Sequence, residues 1–123
     1  HLDGRLAYVG GTPGGHVQVQ TNLQLLVNAV DLKMDVQQAV EAPRWQHLST
    51  AGALSNEETG DGILEIENRV DESIVTALKE RGHDVRLIGP WAHGSAAQLM
   101  QVLPDGAYAF GSDPRCDGQA AGI

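Results

Sequence analysis

The stretch Gly10-Gly11-Thr12-Pro13-Gly14-Gly15 has the clearest capacity for chemistry in this sequence. Glycine tolerates positive φ and lets a ligand approach the main chain closely. A glycine turn that opens a helix can therefore present several N–H donors at once, an arrangement suited to an anion or a developing oxyanion. Phosphate binding asks for more. The turn departs from G-x-G-x-x-G, and no Lys-Ser or Lys-Thr pair follows it, so a nucleotide site is not expected. Standing alone, the turn reads as backbone geometry.

The other reactive side chains are scattered. His1, His16, His47, His83 and His93 show no His-x-x-x-His or Cys-His spacing, so no metal site is expected, and each reads as a surface or hydrogen-bonded residue. His16 stands apart because it adjoins the glycine turn. Cys116, the one cysteine, excludes an internal disulfide and reads as a structural thiol. Ser49, Thr50, Ser55 and Thr59 lie in polar surroundings without a nucleophile elbow. Asp113-Pro114-Arg115 places opposite charges in a rigid turn, which reads as a local ion pair. These residues by themselves do not assemble a nucleophile, a base and an oxyanion hole.

Residues 1–123 fall within the usual size of one domain with a modest core. Eight Lys plus Arg against sixteen Asp plus Glu leave a net charge of −8. That charge argues against nucleic-acid and anionic-membrane partners, which need clustered basic residues. The apolar runs are too short for a membrane-spanning helix.

The elements that must position the turn follow from periodicity. Residues 5–9 read as a strand leaving an Asp3-Gly4 hairpin turn; only two residues precede that turn, so the sequence is expected to continue in front of it. A helix over 17–32 is expected to bury Leu23, Leu26, Val27 and Val30, with Leu25, Ala29 and Leu32 widening the stripe. Asp35 caps a short helix that Pro43 stops. The polar segment 46–62 reads as an exposed loop. A strand follows over 63–67, with Leu64 and Ile66 on one face and Glu65 and Glu67 on the other. A helix capped by Asp71 and ended by Gly82 comes next, then a strand over 85–88. Last is a hairpin around Pro104-Asp105-Gly106. This order predicts an α+β layered fold rather than a doubly wound parallel sheet.

Several motifs in sequence order resemble the gamma-glutamyltranspeptidase family. They are Gly11-Thr12-Pro13-Gly14-Gly15, Gln20-Thr21-Asn22-Leu23-Gln24, Met34-Asp35 and Ala39-Val40-Glu41-Ala42-Pro43-Arg44-Trp45. Leu78 to His83 resembles its L-x-x-R-G-H helix end, and Gly94-Ser95-Ala96 the start of its next strand. Gly111-Ser112-Asp113-Pro114-Arg115, with Asp117-Gly118 and Ala121-Gly122, resembles its C-terminal signature.

The resemblance implies an N-terminal-nucleophile hydrolase with a four-layer αββα sandwich of mainly antiparallel sheet, made as a self-cleaving precursor. It implies that Gly14 and Gly15 supply oxyanion N–H groups, that no metal or organic cofactor is needed, and that the substrate is a small amide or gamma-glutamyl compound. The threonine nucleophile and the paired substrate-binding serines would lie upstream of His1. This chain would then be the C-terminal part of the small subunit, inactive alone and packed against the large subunit and the front of the small one. Transpeptidases proper usually follow the double glycine with Ser-Arg. His16-Val17-Gln18-Val19-Gln20 resembles amidase-like relatives instead, which more often carry an acid at the position of His16, so another small amide is an alternative substrate. A non-catalytic scaffold that kept the fold is the rival expectation, and a small-molecule sensor using the turn as an anion site is a weaker third.

Overall fold

A computed structural model describes residues 1, 3–48, 62–119 and 121, with His16 described through its backbone alone. Two compact units are present: residues 1–42 with 94–123, and residues 43–93.

In the first unit, β1 (Tyr8–Gly11), β5 (Gln98–Val102) and β6 (Tyr108–Ser112) form an antiparallel sheet in the order β1-β5-β6. Asp3 and Gly4 precede it with φ of 50° and 77°, the two positive values that a type I′ turn requires. The β5–β6 hairpin closes through Pro104-Asp105-Gly106, where the Asp105 carboxylate accepts the Ala107 N–H at 3.0 Å. The helix α2 (Val36–Glu41) starts at a full capping box: Asp35 accepts the Gln38 N–H, and the Gln38 side chain accepts the Asp35 N–H. It packs on the sheet through Val36, Ala39 and Val40, which join Leu25, Ala29, Ala97 and Leu99 in the core.

Gly111 makes that close packing possible. A Cβ there would sit 2.3 Å from the Val36 carbonyl oxygen, a backbone atom that cannot swing aside. Gly111→Ala is therefore expected to lower stability by about 1–3 kcal/mol through overpacking. A shift in thermal midpoint of the full-length protein checks it.

The long first helix differs from its expected form. Gly15–Val17 is a 3-10 turn, α1 runs over Gln18–Leu26, and Val27–Asp31 is a π-helical turn in which the Leu32 N–H reaches the Val27 carbonyl. The buried face also differs. Thr21, Gln24, Leu25 and Ala29 point inward, whereas Leu23, Leu26, Val27 and Leu32 are exposed. Small Thr21 and Ala29 face the packed side, and the Gln24 amide satisfies itself on the Gln20 carbonyl at 3.0 Å. Of the expected stripe, this unit buries the widening residues Leu25 and Ala29 and leaves the bulkier Leu23, Leu26, Val27 and Leu32 exposed.

In the second unit, β2 (Trp45–Leu48) pairs antiparallel with β3 (Ile63–Glu67), which pairs parallel with β4 (Asp84–Ile88). The parallel pair is joined by α3 (Glu72–Glu80), the crossover such a pair needs. The Asp71 cap accepts from the Ser73 hydroxyl and N–H, and these bonds hold its carboxyl below its ordinary value of 3.8. Gly82 ends α3 as expected: its N–H bonds the Lys79 carbonyl, and the His83 N–H bonds that of Leu78.

Two expectations need correction here. Gln46, His47 and Leu48, assigned to the 46–62 loop, belong to β2, because they pair in register with Glu65, Leu64 and Ile63 of β3 and their mixed polar and apolar side chains suit a half-exposed strand. Gln46 donates to Glu65 across the pair at 2.7 Å. Residues 49–61 of that loop lie outside the described residues. Glu67, assigned to the polar face of its strand, is wholly buried. Its carboxylate accepts the N–H groups of Arg44 and His93 and pairs with Arg69 at 2.8 Å. The Arg69 guanidinium lies 3.4 Å from the ring centre of Trp91, whose φ is 61°. A buried carboxylate needs such partners, and alternation along one strand cannot reveal them.

Among the described residues the sheets are antiparallel except at β3–β4, and the α+β class expected from the order of elements is the one observed.

Candidate active site

The glycine turn leaves the end of β1 and runs into the 3-10 turn ahead of α1, as its position between a strand and a helix predicts. Hydrogen bonds among the described residues hold it. The Thr12 hydroxyl donates to the Asn22 side-chain oxygen at 3.2 Å, the Ser95 hydroxyl donates to the Pro13 carbonyl at 2.9 Å, and the Val17 N–H donates to the Gly14 carbonyl at 3.3 Å.

These bonds orient two peptide planes. A trans peptide sends its C=O and N–H in opposite directions. The Pro13 carbonyl is turned toward buried Ser95, so the Gly14 N–H of the same plane is turned away from it. The Gly14 carbonyl faces Val17, so the Gly15 N–H faces away from the helix. Both glycines are exposed, and among the described residues neither N–H donates a hydrogen bond. The positive end of the following helix adds to their attraction for negative charge.

Gly14 has φ 132° and Gly15 φ 59°, values unfavourable for any residue with a Cβ. At Gly14 a Cβ would also lie 2.9 Å from Val17 Cγ2 and 3.3 Å from Ser95 Cβ, whereas at Gly15 the space is open. His16 is the second residue of the 3-10 turn, and its side chain lies outside the described residues. Beside the turn is an apolar cleft of about 230 Å³, lined by Tyr8, Gly10, Gly11, Asn22, Leu25 and Leu26 among others.

Asp113 and Arg115 form the expected ion pair at 2.9 Å, and their side chains are buried. The pair also does more than close its own turn. The other Asp113 oxygen accepts the Ala97 N–H at 2.8 Å, and the Asp113 N–H donates to the Ala97 carbonyl. Arg115 donates to the carbonyls of Val40 and Ala42 at the end of α2, groups that a helix leaves without internal partners.

Ser95, Asn22 and Asp113 are thus the supports of the turn and its surroundings. Residue-by-residue chemistry missed the first two because their partners lie in other elements, ten residues away for Asn22 and 82 for Ser95. Cys116 donates to the Asp113 carbonyl at 3.4 Å, and Ser49, Thr50, Ser55 and Thr59 lie outside the described residues. Among the described residues no three His, Cys, Asp or Glu side chains are grouped to hold a metal ion.

A family model described as gamma-glutamyltranspeptidase matches residues 1–123, the full length of the chain. The chain belongs to the gamma-glutamyltranspeptidase family. Among its curated relatives, the glutathione hydrolase-like YwrD proenzyme of Bacillus subtilis is 36% identical over 115 residues, covering 92% of this chain and 21% of that protein. The acylase ACY 1 proenzyme of Pseudomonas sp. strain V22 is 36% identical over 122 residues, covering 98% of this chain and 19% of its own length. The cephalosporin acylase structure from Bacillus halodurans superposes with a TM-score of 0.75 at 30% identity, over 91% of this chain and 19% of that one. The chain therefore spans about a fifth of the length of the curated relatives it matches. Family membership accounts for the order of the motifs from Gly11 to Gly122, and it joins the glycine turn and the Asp113-Pro114-Arg115 turn in one pattern.

Proposed function

We propose that this chain is the C-terminal portion of the small subunit of a gamma-glutamyltranspeptidase-like enzyme that hydrolyses a small amide or transfers its acyl group. The observation that carries this reading is the full-length family match over a turn whose two N–H groups are exposed and donate no hydrogen bond among the described residues.

In this proposal a threonine at the new N-terminus of the small subunit, elsewhere in the precursor, attacks the amide carbon. Its hydroxyl proton passes to its own α-amine and then to the leaving amine. The carbonyl π pair moves onto oxygen, where the Gly14 and Gly15 N–H groups stabilise it. Collapse expels the amine and leaves an acyl ester, which water or an acceptor amine then attacks. No step calls on a metal or organic cofactor.

His16 is proposed as a substrate-binding residue because it directly follows the double glycine in the sequence. Relatives whose names include both glutathione hydrolase and acylase support a substrate range wider than gamma-glutamyl compounds. The partner is the remainder of the precursor, and the exposed Leu23, Leu26 and Leu32, of which Leu26 lines the apolar cleft, support packing against it.

Expression of the full-length precursor tests the reading. It is expected to split into two subunits and to release p-nitroaniline from L-γ-glutamyl-p-nitroanilide or turn over a simple amide. A product that forms but turns over no amide would favour the non-catalytic scaffold.

A further inference from the structure

We propose that Ser95 is a positioning residue for the reaction: its hydroxyl, through the Pro13 carbonyl, sets the plane of the Pro13–Gly14 peptide and so the aim of the Gly14 N–H at the acyl oxyanion. This rests on the oxyanion role proposed above for Gly14.

The plane is one that the chain cannot hold unaided. A peptide plane flips by rotating ψ of the residue before it and φ of the residue after it, and glycine accepts either sign of φ. At Pro13–Gly14 the second rotation belongs to a glycine at φ 132°. A flip would turn the Gly14 N–H inward and the Pro13 carbonyl outward, replacing a donor by lone pairs that repel the oxyanion. The hydrogen bond from Ser95 to the Pro13 carbonyl, 2.9 Å long and formed by a residue with no exposed surface, opposes that flip.

Ser95 is itself well placed to act as an anchor. Two residues on, Ala97 exchanges hydrogen bonds with Asp113 through both its N–H and its C=O. Asp113 is held in turn by Arg115. The neighbouring Gly14–Gly15 plane has its own support, the Val17 N–H on the Gly14 carbonyl. Losing the Ser95 hydroxyl should therefore loosen one oxyanion donor and leave the second in place.

The test uses the full-length, processed protein with L-γ-glutamyl-p-nitroanilide as probe. Removal of one oxyanion donor lowers kcat about 100- to 1,000-fold. A donor that is merely released still spends part of its time correctly aimed, so Ser95→Ala is expected to lower kcat about 10- to 100-fold. KM should stay within about threefold, since the oxyanion forms only in the transition state. Ser95→Thr, which keeps the hydroxyl, is expected to recover most of the lost kcat. An unchanged kcat in Ser95→Ala, beside a Gly14→Ala variant that does lose activity, overturns the role of Ser95. If Gly14→Ala also keeps full kcat, the oxyanion reading itself has failed. A crystal structure of Ser95→Ala decides the matter independently of any substrate. A rotated or doubly oriented Pro13 carbonyl supports the proposal, and a single unchanged orientation overturns it.

Discussion

Replacing Asp113 by alanine will destabilise the unit built from residues 1–42 and 94–123 by about 3–5 kcal/mol, the range for removing one partner of a buried ion pair. The size follows from what is left behind. The Arg115 side chain is almost fully enclosed, and its charge would lose its 2.9 Å carboxylate partner without gaining water. The Ala97 N–H would lose its acceptor in the same step. Arg115 would keep the neutral carbonyl acceptors of Val40 and Ala42, which do not replace the lost carboxylate charge. Hydrogen exchange on the full-length protein, read in peptides covering residues 96–115, measures the loss directly. A change below about 1 kcal/mol would mean that the pair behaves as a solvated surface bridge. Asp113→Asn provides a graded comparison, because it retains an acceptor for Ala97 while giving up the charge, and its loss should be smaller.

The second large effect is expected on activity. Gly14→Ala in the full-length enzyme should reduce kcat about 100- to 1,000-fold, equivalent to the roughly 2.7–4 kcal/mol that one oxyanion donor supplies. Alanine keeps the N–H, so the loss would come from geometry. At φ 132° an L side chain is strained, and its Cβ would press on Val17 Cγ2 at 2.9 Å and on Ser95 Cβ at 3.3 Å. Both contacts push the turn away from the two groups that aim it. Gly15→Ala is the control. Its φ of 59° costs only about 1–2 kcal/mol for alanine, and no atom lies within 4 Å of the new methyl. Steady-state kinetics on the two variants should therefore separate clearly. Equal losses would show that tight packing around Gly14 is not what aims the donor.

Local signals in this chain were strong wherever the physics acts over a few residues. Asp35 and Asp71 cap their helices because a carboxylate two or three residues ahead of a free N–H needs nothing else to bond it. Gly82 and the Pro104-Asp105-Gly106 turn stop their elements for equally local reasons. The order of these elements was enough to name the α+β class, and the ordered motifs were enough to point to the family that the full-length match establishes.

The turn from Gly10 to Gly15 was legible in the same way, as a place where backbone donors meet a helix N-terminus. Which way those donors face was not legible. That depends on Ser95, 82 residues from Pro13, and on an Asp113–Arg115 pair reaching back to the end of α2. The same limit explains the first helix, where both faces carry apolar residues and only the packed sheet and α2 select Leu25 and Ala29 over Leu23 and Leu26. It also explains Glu67, whose alternation marks it as solvent-facing although Arg44, Arg69 and His93 enclose it. Sequence alone determined which backbone groups this protein has to offer, since glycine, proline and capping carboxylates act on their nearest neighbours. Tertiary structure decided where the Gly14 N–H points, because the Pro13–Gly14 plane is held by Ser95, a partner that only folding brings within 3 Å, whereas the Gly14–Gly15 plane is held locally by Val17.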